Sequence, residues 1–366
     1  RNFYDPYARE WQQGNSRWDI IDLVRMTYAL RPAGIAWPQH EEGQPSFRLG
    51  DLMAANGILH ESAHDALSDV RATIALARLL RTQQPRLYDW LFQLRDKRKA
   101  ATQLDLATHN PVLHTTRMYP AKTGCTSLVM PLIAEPGNNN SVLVYDLRQD
   151  PELFLPLDAD ELSQLLFTRN DDLPEGMQRL PVKSVKINKC PALAPRNTLD
   201  NEAAERIALD LDACHRHWQA LCAQPDFFQR VATAYTSRAF EPSGDVDVAL
   251  YDGFLDNADA ASLAQIRRAS PKQLAKMRLD FHDQRLPELL FRYRARNWPE
   301  TLTQTEAQRW EQMRLQRLTQ GDGGGSITFA EFAAQIALLR ETLKADENAW
   351  QILDALETWS KNLLIS

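Results

Sequence analysis

The chain contains the stretch Leu128-Val-Met-Pro-Leu-Ile133, followed by Pro136-Gly137-Asn-Asn-Asn140 and then by Val142-Leu-Val-Tyr-Asp-Leu147. Two short apolar runs separated by a cluster of turn-forming residues are typical of consecutive β-strands. A third apolar run, from Val182 to Ile187, lies further along the chain. Residues from about 110 to 190 are therefore predicted to form a small β-rich domain.

Helical periodicity flanks this β-rich region on both sides. The predicted helices cover residues 19–30, 47–56, 63–81, 86–100, 213–221 and 227–235, and the chain beyond a linker at 241–244 is predicted to be helical to its end. In helix 63–81, Ser62 is expected to cap the N-terminus. Ala66, Val70, Ile74 and Ala77 recur at helical spacing, so we expect them to form the buried seam of that helix.

The length and composition indicate a folded chain of several domains. At about 150 residues per domain, 366 residues correspond to two or three domains. A hydrophobic content of 44% disfavours disorder, and the 14 Gly and four Cys, which show no C-x-x-C spacing, exclude collagen-like, disulfide-stapled and zinc-knuckle chains. We place the domains at residues 1–84, 85–238 and 239–366.

Charge and targeting signals restrict the function classes further. The net charge of −6 argues against a protein that coats nucleic acid indiscriminately, although a local basic groove remains compatible with it. No apolar run approaches the length of about 20 residues that spans a bilayer, and no signal peptide opens the chain, so we expect a cytoplasmic protein without membrane contact. Residue 1 is Arg and leads into an aromatic-rich segment, so the sequence is expected to begin inside a domain.

One pair of residues suggests chemistry before any resemblance is considered. His64 lies in the first turn of the predicted helix, where the helix dipole favours a neutral imidazole that can act as a base. Asp69 follows five residues later, about 7.5 Å along the axis, and faces a different direction. The pair suits a base for water and a ligand for a metal, while the alternative interpretation is a surface histidine and a capping or solvated aspartate.

Several blocks of sequence, in the same order, resemble the bacterial exodeoxyribonuclease I family. The blocks before the β-rich region are Asn15-Ser-Arg-Trp-Asp19, Tyr28-Ala-Leu-Arg-Pro32, Pro45-Ser-Phe-Arg-Leu49, Ala55-Asn-Gly-Ile58 and Ala63-His-Asp-Ala66. The later blocks are Ile187-Asn-Lys-Cys-Pro191, Asn197-Thr-Leu199, Leu250-Tyr-Asp-Gly-Phe254 and Leu289-Leu-Phe-Arg-Tyr-Arg-Ala-Arg-Asn297. The resemblance covers nearly the whole chain and is far more specific than the His64 motif alone.

The resemblance implies an α+β multidomain fold and a DNA-degrading activity. The expected parts are the remainder of a ribonuclease-H-like (DEDDh) exonuclease domain, an SH3-like β domain and an all-helical C-terminal domain, together forming a C-shaped clamp. The implied activity is 3′ to 5′ hydrolysis of single-stranded DNA to 5′-mononucleotides in DNA repair and recombination. Two Mg²⁺ ions would activate water and stabilise the phosphate, and a histidine would take the proton of the water.

The resemblance also assigns residues to roles in the reaction. Asp69 corresponds to the last metal-binding carboxylate, His64 to the general base, and Arg48 to an arginine that contacts substrate. The first motif of the family, Asp-x-Glu, and its second Asp both precede the point where this chain begins, so three of the four carboxylates are absent. We reject Asp200-Asn-Glu202 as a replacement, since it lies at a helix start headed by Thr198 and is better explained as a cap. We therefore expect the 366-residue chain alone to be inactive.

Contacts to DNA are expected from aromatic and basic side chains. Tyr7, Trp11 and Arg25 fall where the family touches DNA, and exposed rings can stack on single-stranded bases, although such rings are as often buried in a core. Lys97 on the basic helix and Lys183 on a strand of the β domain are expected to follow the phosphates. A solvated charged face is the alternative interpretation of both lysines.

A partner protein and two alternative functions complete the expectations. Family members bind the acidic C-terminal tail of single-stranded-DNA-binding protein. Arg31 matches one arginine of that pocket, whereas other basic positions are Asn110, Asp200, Leu211 and Cys222 here. The alternatives to the nuclease are a non-catalytic clamp that binds single-stranded DNA and a related DEDDh enzyme acting on RNA, which the domains after residue 84 disfavour. We expect a monomer.

Overall fold

The computed structural model describes residues 10, 12–40, 43–58, 66–169, 172–174, 176–236, 244–249, 252–253, 255–321, 325–343 and 347–365. The contacts between residues divide the chain into two compact units, one within residues 9–239 and the other within residues 240–366. Each unit is described by itself below. No helix in the described ranges has both the length and the apolar character needed to cross a membrane.

Five helices open the first unit. They are α1 (Ile21–Leu30), α2 (Leu49–Ala55), α3 (Ala66–Gln83), α4 (Pro85–Gln93) and α5 (Lys97–Gln103). Helix α1 is the central one, because it packs against α4 and against three strands of the sheet described next. Its buried face includes Leu23, Met26 and Leu30, each at most 2% exposed. Arg25 within α1 and Arg31 directly after it are therefore carried by a helix that packs on the sheet.

A five-stranded antiparallel sheet forms the middle of this unit. Its strands are β1 (Val112–Thr115), β2 (Thr126–Ala134), β3 (Ser141–Asp146), β4 (Val182–Lys186) and β5 (Ala192–Pro195), in the spatial order β4-β3-β2-β1-β5. The register of β2 on β3 shifts between Pro131 and Ile133, as expected where a proline removes a ladder donor. The turn before β2 contains Gly124 at φ +59°, against the side chains of α1.

Four more helices cover the sheet. They are α6 (Ala159–Phe167), α7 (Asn201–Arg206), α8 (Leu211–Cys222) and α9 (Asp226–Thr236). Tyr145 of β3 lies edge-on to Phe154 and to Phe227 of α9, with ring centroids 6.4 Å apart in both pairs. All three rings are buried, so one apolar core joins the sheet to these helices.

The second unit is helical in its described part. Its helices are α10 (Asn257–Arg268), α11 (Pro271–Lys276), α12 (Arg285–Asn297), α13 (Gln304–Thr319), α14 (Phe329–Thr342) and α15 (Glu347–Ile365). Asp247 near the start of this unit pairs with Arg292 and Arg296 of α12, and the hydrogen bond from Arg296 contributes most to holding its pKa at about 2. These ion pairs attach the entry segment of the unit to α12.

The structure confirms the α+β class and the three predicted strands, and it corrects several details. The buried face of α3 is formed by Ala72, Leu76 and Leu80, whereas Val70 and Ile74 are 54% and 47% exposed, so the predicted seam is wrong. Helix α3 carries apolar residues on two faces, and only the neighbours that pack against it decide which face is buried.

Local capping explains two further differences. The helix predicted at 86–100 is interrupted, because the Asp96 side chain accepts a hydrogen bond from the Arg98 N–H and begins α5. Similarly, α7 is capped by Asp200, whose carboxylate accepts from the Ala203 N–H at 2.8 Å, and not by Thr198. Asp200 is therefore a helix cap, which agrees with the interpretation of Asp200-Asn-Glu202 as a capping sequence and not a catalytic motif. Strands β1 and β5 and helix α6 were not predicted.

Candidate nucleic-acid interface

The predicted catalytic residues lie partly outside the described residues. Outside the described residues lie His64, Tyr7, Trp11 and the expected helix cap Ser62. Their roles therefore stay predictions. Asp69 is half-buried near the start of α3. Arg48 is exposed at the N-cap position of α2, and α2 packs against α3. The helix pair thus brings the backbone positions of the predicted substrate arginine and the predicted metal ligand into one local structure.

The metal-binding potential of the described residues is limited. Nowhere in the described ranges do three His, Cys, Asp or Glu side chains come together as a group that could hold an ion. Asp69 alone cannot fix Mg²⁺, because the ion takes about six oxygen ligands in a near-octahedral arrangement. The described part of the chain therefore does not by itself fit a pair of metal ions.

Arg25 on α1 is largely occupied by a neighbour within its own helix. Its side chain is 16% exposed, and Nη1 donates to the Asp22 carboxylate at 2.7 Å. Burial raises the pKa of Asp22, while the hydrogen bond from Arg25 acts in the opposite direction. A phosphate would have to compete with this short ion pair for the guanidinium.

Lys97 and Lys183 lie along the same edge of the sheet. Lys97 is exposed at the start of α5, and its Nζ donates to Asn140 Oδ1 at 3.3 Å. Asn140 precedes β3, and its carbonyl accepts a hydrogen bond from the Ile187 N–H at the end of β4. Lys183 lies four residues before Ile187, so the backbone positions that bear Lys183 and contact Asn140 are roughly 13 Å apart along β4 at about 3.3 Å per residue. This spacing allows one extended strand to meet both charges.

Lys183 has an unusual environment for a DNA-binding lysine. Its Nζ donates to the Met118 carbonyl at 3.0 Å and lies 3.8 Å from the centre of the Tyr119 ring. Burial lowers the pKa of the Lys183 ammonium to about 8, with Asp146 opposing the shift and Arg179 adding to it. Lys183 therefore changes charge near pH 8, whereas a solvated lysine does so near pH 10.4.

Arg31 lines a cavity of about 670 Å³ in the first unit. The other lining residues come from the N-cap and first turns of α4 and from the end of β5 with the segment after it: Gln84, Pro85, Arg86, Leu87, Trp90, Pro195, Asn197 and Thr198. The Arg31 guanidinium donates to the Thr198 carbonyl at 2.8 Å and to the Asp200 carboxylate at 3.1 Å. Asp200, which caps α7, thus already accepts a hydrogen bond from Arg31, the arginine that was predicted to bind an acidic partner.

Comparisons with known proteins agree with this architecture. Residues 95–237 match the family model "Exonuclease I SH3-like domain", and residues 244–363 match "Exonuclease I C-terminal domain". Exodeoxyribonuclease I of Escherichia coli is 41% identical over 365 residues, which is 100% of this chain and 75% of the relative. The chain belongs to the exonuclease I family.

Solved structures of the family superimpose on the fold described above. A moderately thermophilic exonuclease I from Methylocaldum szegediense matches with a TM-score of 0.91 and 45% identity, covering 99% of this chain and 76% of that one. E. coli exonuclease I in complex with a dA16 oligonucleotide matches with a TM-score of 0.90 and 41% identity, at the same coverage. The exonuclease I fold, with its SH3-like and C-terminal domains, is thus shared, while the domain boundaries proposed from sequence stay predictions.

Some members of the candidate interface were missed by the sequence analysis. Arg86 lines the Arg31 cavity. The sequence signal for its position was Pro85, which marks the start of α4 and so places Arg86 in the first turn of that helix. Arg196 lines a second cavity of about 210 Å³ together with Asn110, Leu211 and His215. Arg196 therefore lies in the same cavity as Asn110 and Leu211, two positions at which the family has basic residues. Only tertiary contacts reveal this, since Arg196 and Asn110 are distant in sequence.

Proposed function

We propose that this protein acts in the 3′ to 5′ hydrolysis of single-stranded DNA to 5′-mononucleotides, in DNA repair and recombination. The observation that carries the proposal is the match of the whole of this chain to 75% of exodeoxyribonuclease I of E. coli, whose solved structures hold dA16 and dT13 oligonucleotides. The cation pair Lys97 and Lys183 adds a feature of this chain, because two charges separated by roughly 13 Å along the direction of β4 suit an extended phosphate backbone.

The proposed division of labour follows the family resemblance. His64 takes the proton of the attacking water, and a positioned base of this kind contributes roughly 10² to 10⁴ in rate. Arg48 holds a substrate phosphate by charge-assisted hydrogen bonds, and Asp69 is a metal ligand. Mg²⁺ is the proposed ion and would supply charge stabilisation at the phosphate. A zinc-bound E. coli exonuclease I–DNA complex supports metal binding in the family.

The proposed contacts to the strand are sequence-independent. Lys97, Lys183 and Arg25 neutralise phosphates, while Tyr7 and Trp11 offer surfaces for base stacking. Of these, Arg25 has the weakest support, because its guanidinium is buried and paired with Asp22.

We also propose an acidic protein partner, the C-terminal tail of single-stranded-DNA-binding protein. A solved complex contains SSB and exonuclease I with the inhibitor CFAM. In this chain, the cavity with Arg31, Arg86 and Trp90 combines two cations with an aromatic ring, a combination that suits an acidic peptide.

The test of the nuclease uses two forms of the protein. One is the 366-residue chain, and the other is the same chain preceded by the segment of E. coli exodeoxyribonuclease I that carries both the Asp-x-Glu motif and the second Asp. Both are incubated with Mg²⁺ and 5′-labelled single-stranded DNA. We expect binding without shortening in the first form and 3′ shortening in the second. The shortening should be lost in Asp69→Asn and retained in the matched control Asp89→Asn, an exposed carboxylate on α4.

The outcomes separate the candidate functions. Binding of single strands without shortening in either form would favour the non-catalytic clamp. Failure of both forms to bind single-stranded DNA would refute the proposal altogether.

A further inference from the structure

A cavity of about 600 Å³ opens beside β4 in the first unit, and Lys183 is part of its wall. We call it the Lys183 cavity, and Arg179, Met118 and Tyr119 also line it. Sites for small molecules in proteins have volumes of about 300–1,000 Å³. The cavity is therefore large enough for a small ligand to reach the amine of Lys183.

The amine of Lys183 has partners on two sides. Its Nζ donates to the Met118 carbonyl at 3.0 Å and lies 3.8 Å from the centre of the Tyr119 ring. A neutral amine has two N–H groups and one lone pair, and both a carbonyl oxygen and the electron-rich face of a ring attract N–H groups. The lone pair is therefore directed away from both partners, where an electrophile can meet it.

The surroundings of Lys183 also keep a large share of this amine neutral. Burial lowers its pKa to about 8, with Asp146 opposing the shift and Arg179 adding to it. At pH 7.5 roughly one quarter of the amine is then neutral, compared with about 0.1% of a solvated lysine. A lysine that is desolvated or lies next to another cation is a recognised form of activated nucleophile.

Arg179 gives the cavity a place for an anion. Its Nε and Nη2 both donate to the Leu166 carbonyl, at 3.1 and 3.0 Å, which fixes the plane of the guanidinium. Within the described part of the chain, Nη1 has no such acceptor, so its two N–H groups remain for a ligand. Arginine binds phosphate groups well, because its N–H groups make charge-assisted hydrogen bonds with the phosphate oxygens.

We propose that Lys183 is an acylation site whose acyl donor is a small acyl phosphate, with Arg179 binding the phosphate and the Lys183 amine facing the carbonyl carbon. The lone pair of the amine attacks that carbon, the C–O bond to the phosphate breaks, and the phosphate leaves with the bonding electrons. The proton that the nitrogen loses ends on the released phosphate. The products are therefore an N-acyl-lysine and hydrogen phosphate, and no oxidant or reductant takes part.

Acylation would remove one of the proposed contacts to the DNA strand. It converts the ammonium of Lys183 to a neutral amide and ends its attraction to the Tyr119 ring. This consequence, unlike the acylation itself, rests on the strand contact proposed for Lys183 above. At pH 6.5, acetylation should flatten the slope of log affinity against log salt by about 0.7 more in the wild type than in Lys183→Met treated in the same way.

The test incubates the 366-residue chain with acetyl phosphate and follows the acetylation of each lysine by mass spectrometry. Lys186, which is exposed in the same strand, is the internal control. We expect Lys183 to react at least about fivefold faster at pH 7.5, because the larger neutral fraction outweighs the lower nucleophilicity of a less basic amine.

The pH profile gives a second readout of the same reaction. The rate at Lys183 should level off above about pH 8, whereas the rate at a solvated lysine keeps rising. Two neighbours of Lys183 do not titrate between pH 6.5 and 9. Burial, with a smaller contribution from Lys183, lowers the pKa of His114 to about 3, and burial raises that of Tyr119 well above its usual value.

A second acyl donor tests the role of Arg179. Phenyl acetate carries the same acetyl group without a phosphate. Arg179→Gln should slow the reaction of Lys183 with acetyl phosphate about threefold or more beyond its effect with phenyl acetate, since loss of the cation raises the pKa of the amine and slows both donors. Arg169→Gln, a change of an exposed arginine outside the cavity lining, should affect neither donor.

Inorganic phosphate tests the anion site without a mutation, in case Arg179→Gln does not fold. In excess, it should protect Lys183 of the wild type from acetyl phosphate but not from phenyl acetate. Equal rates at Lys183 and Lys186, equal slowing of both donors in Arg179→Gln, or no protection by phosphate would overturn the acylation site. Acetylation of Lys183 with an unchanged salt slope would instead refute the strand contact proposed for Lys183, and the acylation site would stand.

Discussion

The lowered pKa of Lys183 makes its contribution to DNA binding depend on pH. With a pKa of about 8, the ammonium is almost fully charged at pH 6.5 and only about one tenth charged at pH 9. Each phosphate contact to a single strand contributes about −0.7 to the slope of log affinity against log salt. Raising the pH from 6.5 to 9 should therefore flatten that slope by up to about 0.7 in the wild-type chain, without any mutation.

The assay is a salt titration of oligonucleotide binding at the two pH values, followed by fluorescence anisotropy. Lys183→Met should show the flatter slope already at pH 6.5 and little further change at pH 9. Lys97→Met should lower the slope by about 0.7 at both pH values and keep the pH effect, because Lys97 is exposed. Removing both lysines should flatten the slope by about 1.4 at pH 6.5.

The comparison of variants isolates Lys183 from other titrating groups. Any other group that titrates between pH 6.5 and 9 keeps its effect in Lys183→Met, so the difference between the two proteins reports Lys183. A wild-type slope that is the same at both pH values would refute the argument, and so would a wild-type salt dependence in the Lys183→Met variant.

Three further predictions concern the partner cavity and stability. Asp200→Asn keeps a good helix cap but removes the charge that pairs with Arg31. We therefore expect a synthetic acidic peptide that reproduces the tail of single-stranded-DNA-binding protein to bind up to about fivefold more tightly, as measured by calorimetry. Weaker binding would contradict the competition between Asp200 and the peptide for Arg31. The depressed pKa of Asp247 means that its ion pairs stabilise the fold above about pH 4 and that this contribution is lost as the pH falls through about 2, so acid unfolding should be shallower in Asp247→Asn. Gly124→Ala should cost about 1–2 kcal/mol from positive φ plus a steric term against α1, whereas Gly57→Ala, with φ +66° and nothing within 4 Å, should show only the former in denaturant unfolding.

Local sequence patterns were sufficient for the strands and for most helix positions. The runs at 128–133, 142–147 and 182–187 lie within or within one residue of β2, β3 and β4. The first two are continuous apolar runs because β2 and β3 are buried along nearly their whole length. Strands β1 and β5 are four residues each, too short for such a run to stand out. The break between α4 and α5 depended on a single side chain, Asp96, which prefers to cap a helix over continuing one.

For the candidate site, too, the sequence determined which residues matter and the tertiary structure determined their surroundings. Residue types and family blocks alone pointed to Asp69, Arg48, Lys97, Lys183 and Arg31 as chemically important positions. Only the tertiary structure decided their surroundings, which include the aromatic ring under Lys183 and the carboxylate of Asp200 on Arg31.

The physical reason is that burial and charge pairing are set by residues far away in sequence. Arg31 and Asp200 are 169 residues apart, and Lys183 meets a carbonyl 65 residues before it. A side chain's identity is written locally, so the sequence by itself determined which groups this protein has. Desolvation and Coulomb interactions depend on three-dimensional neighbours, so only the fold decided which of those groups stay charged, accessible and able to bind.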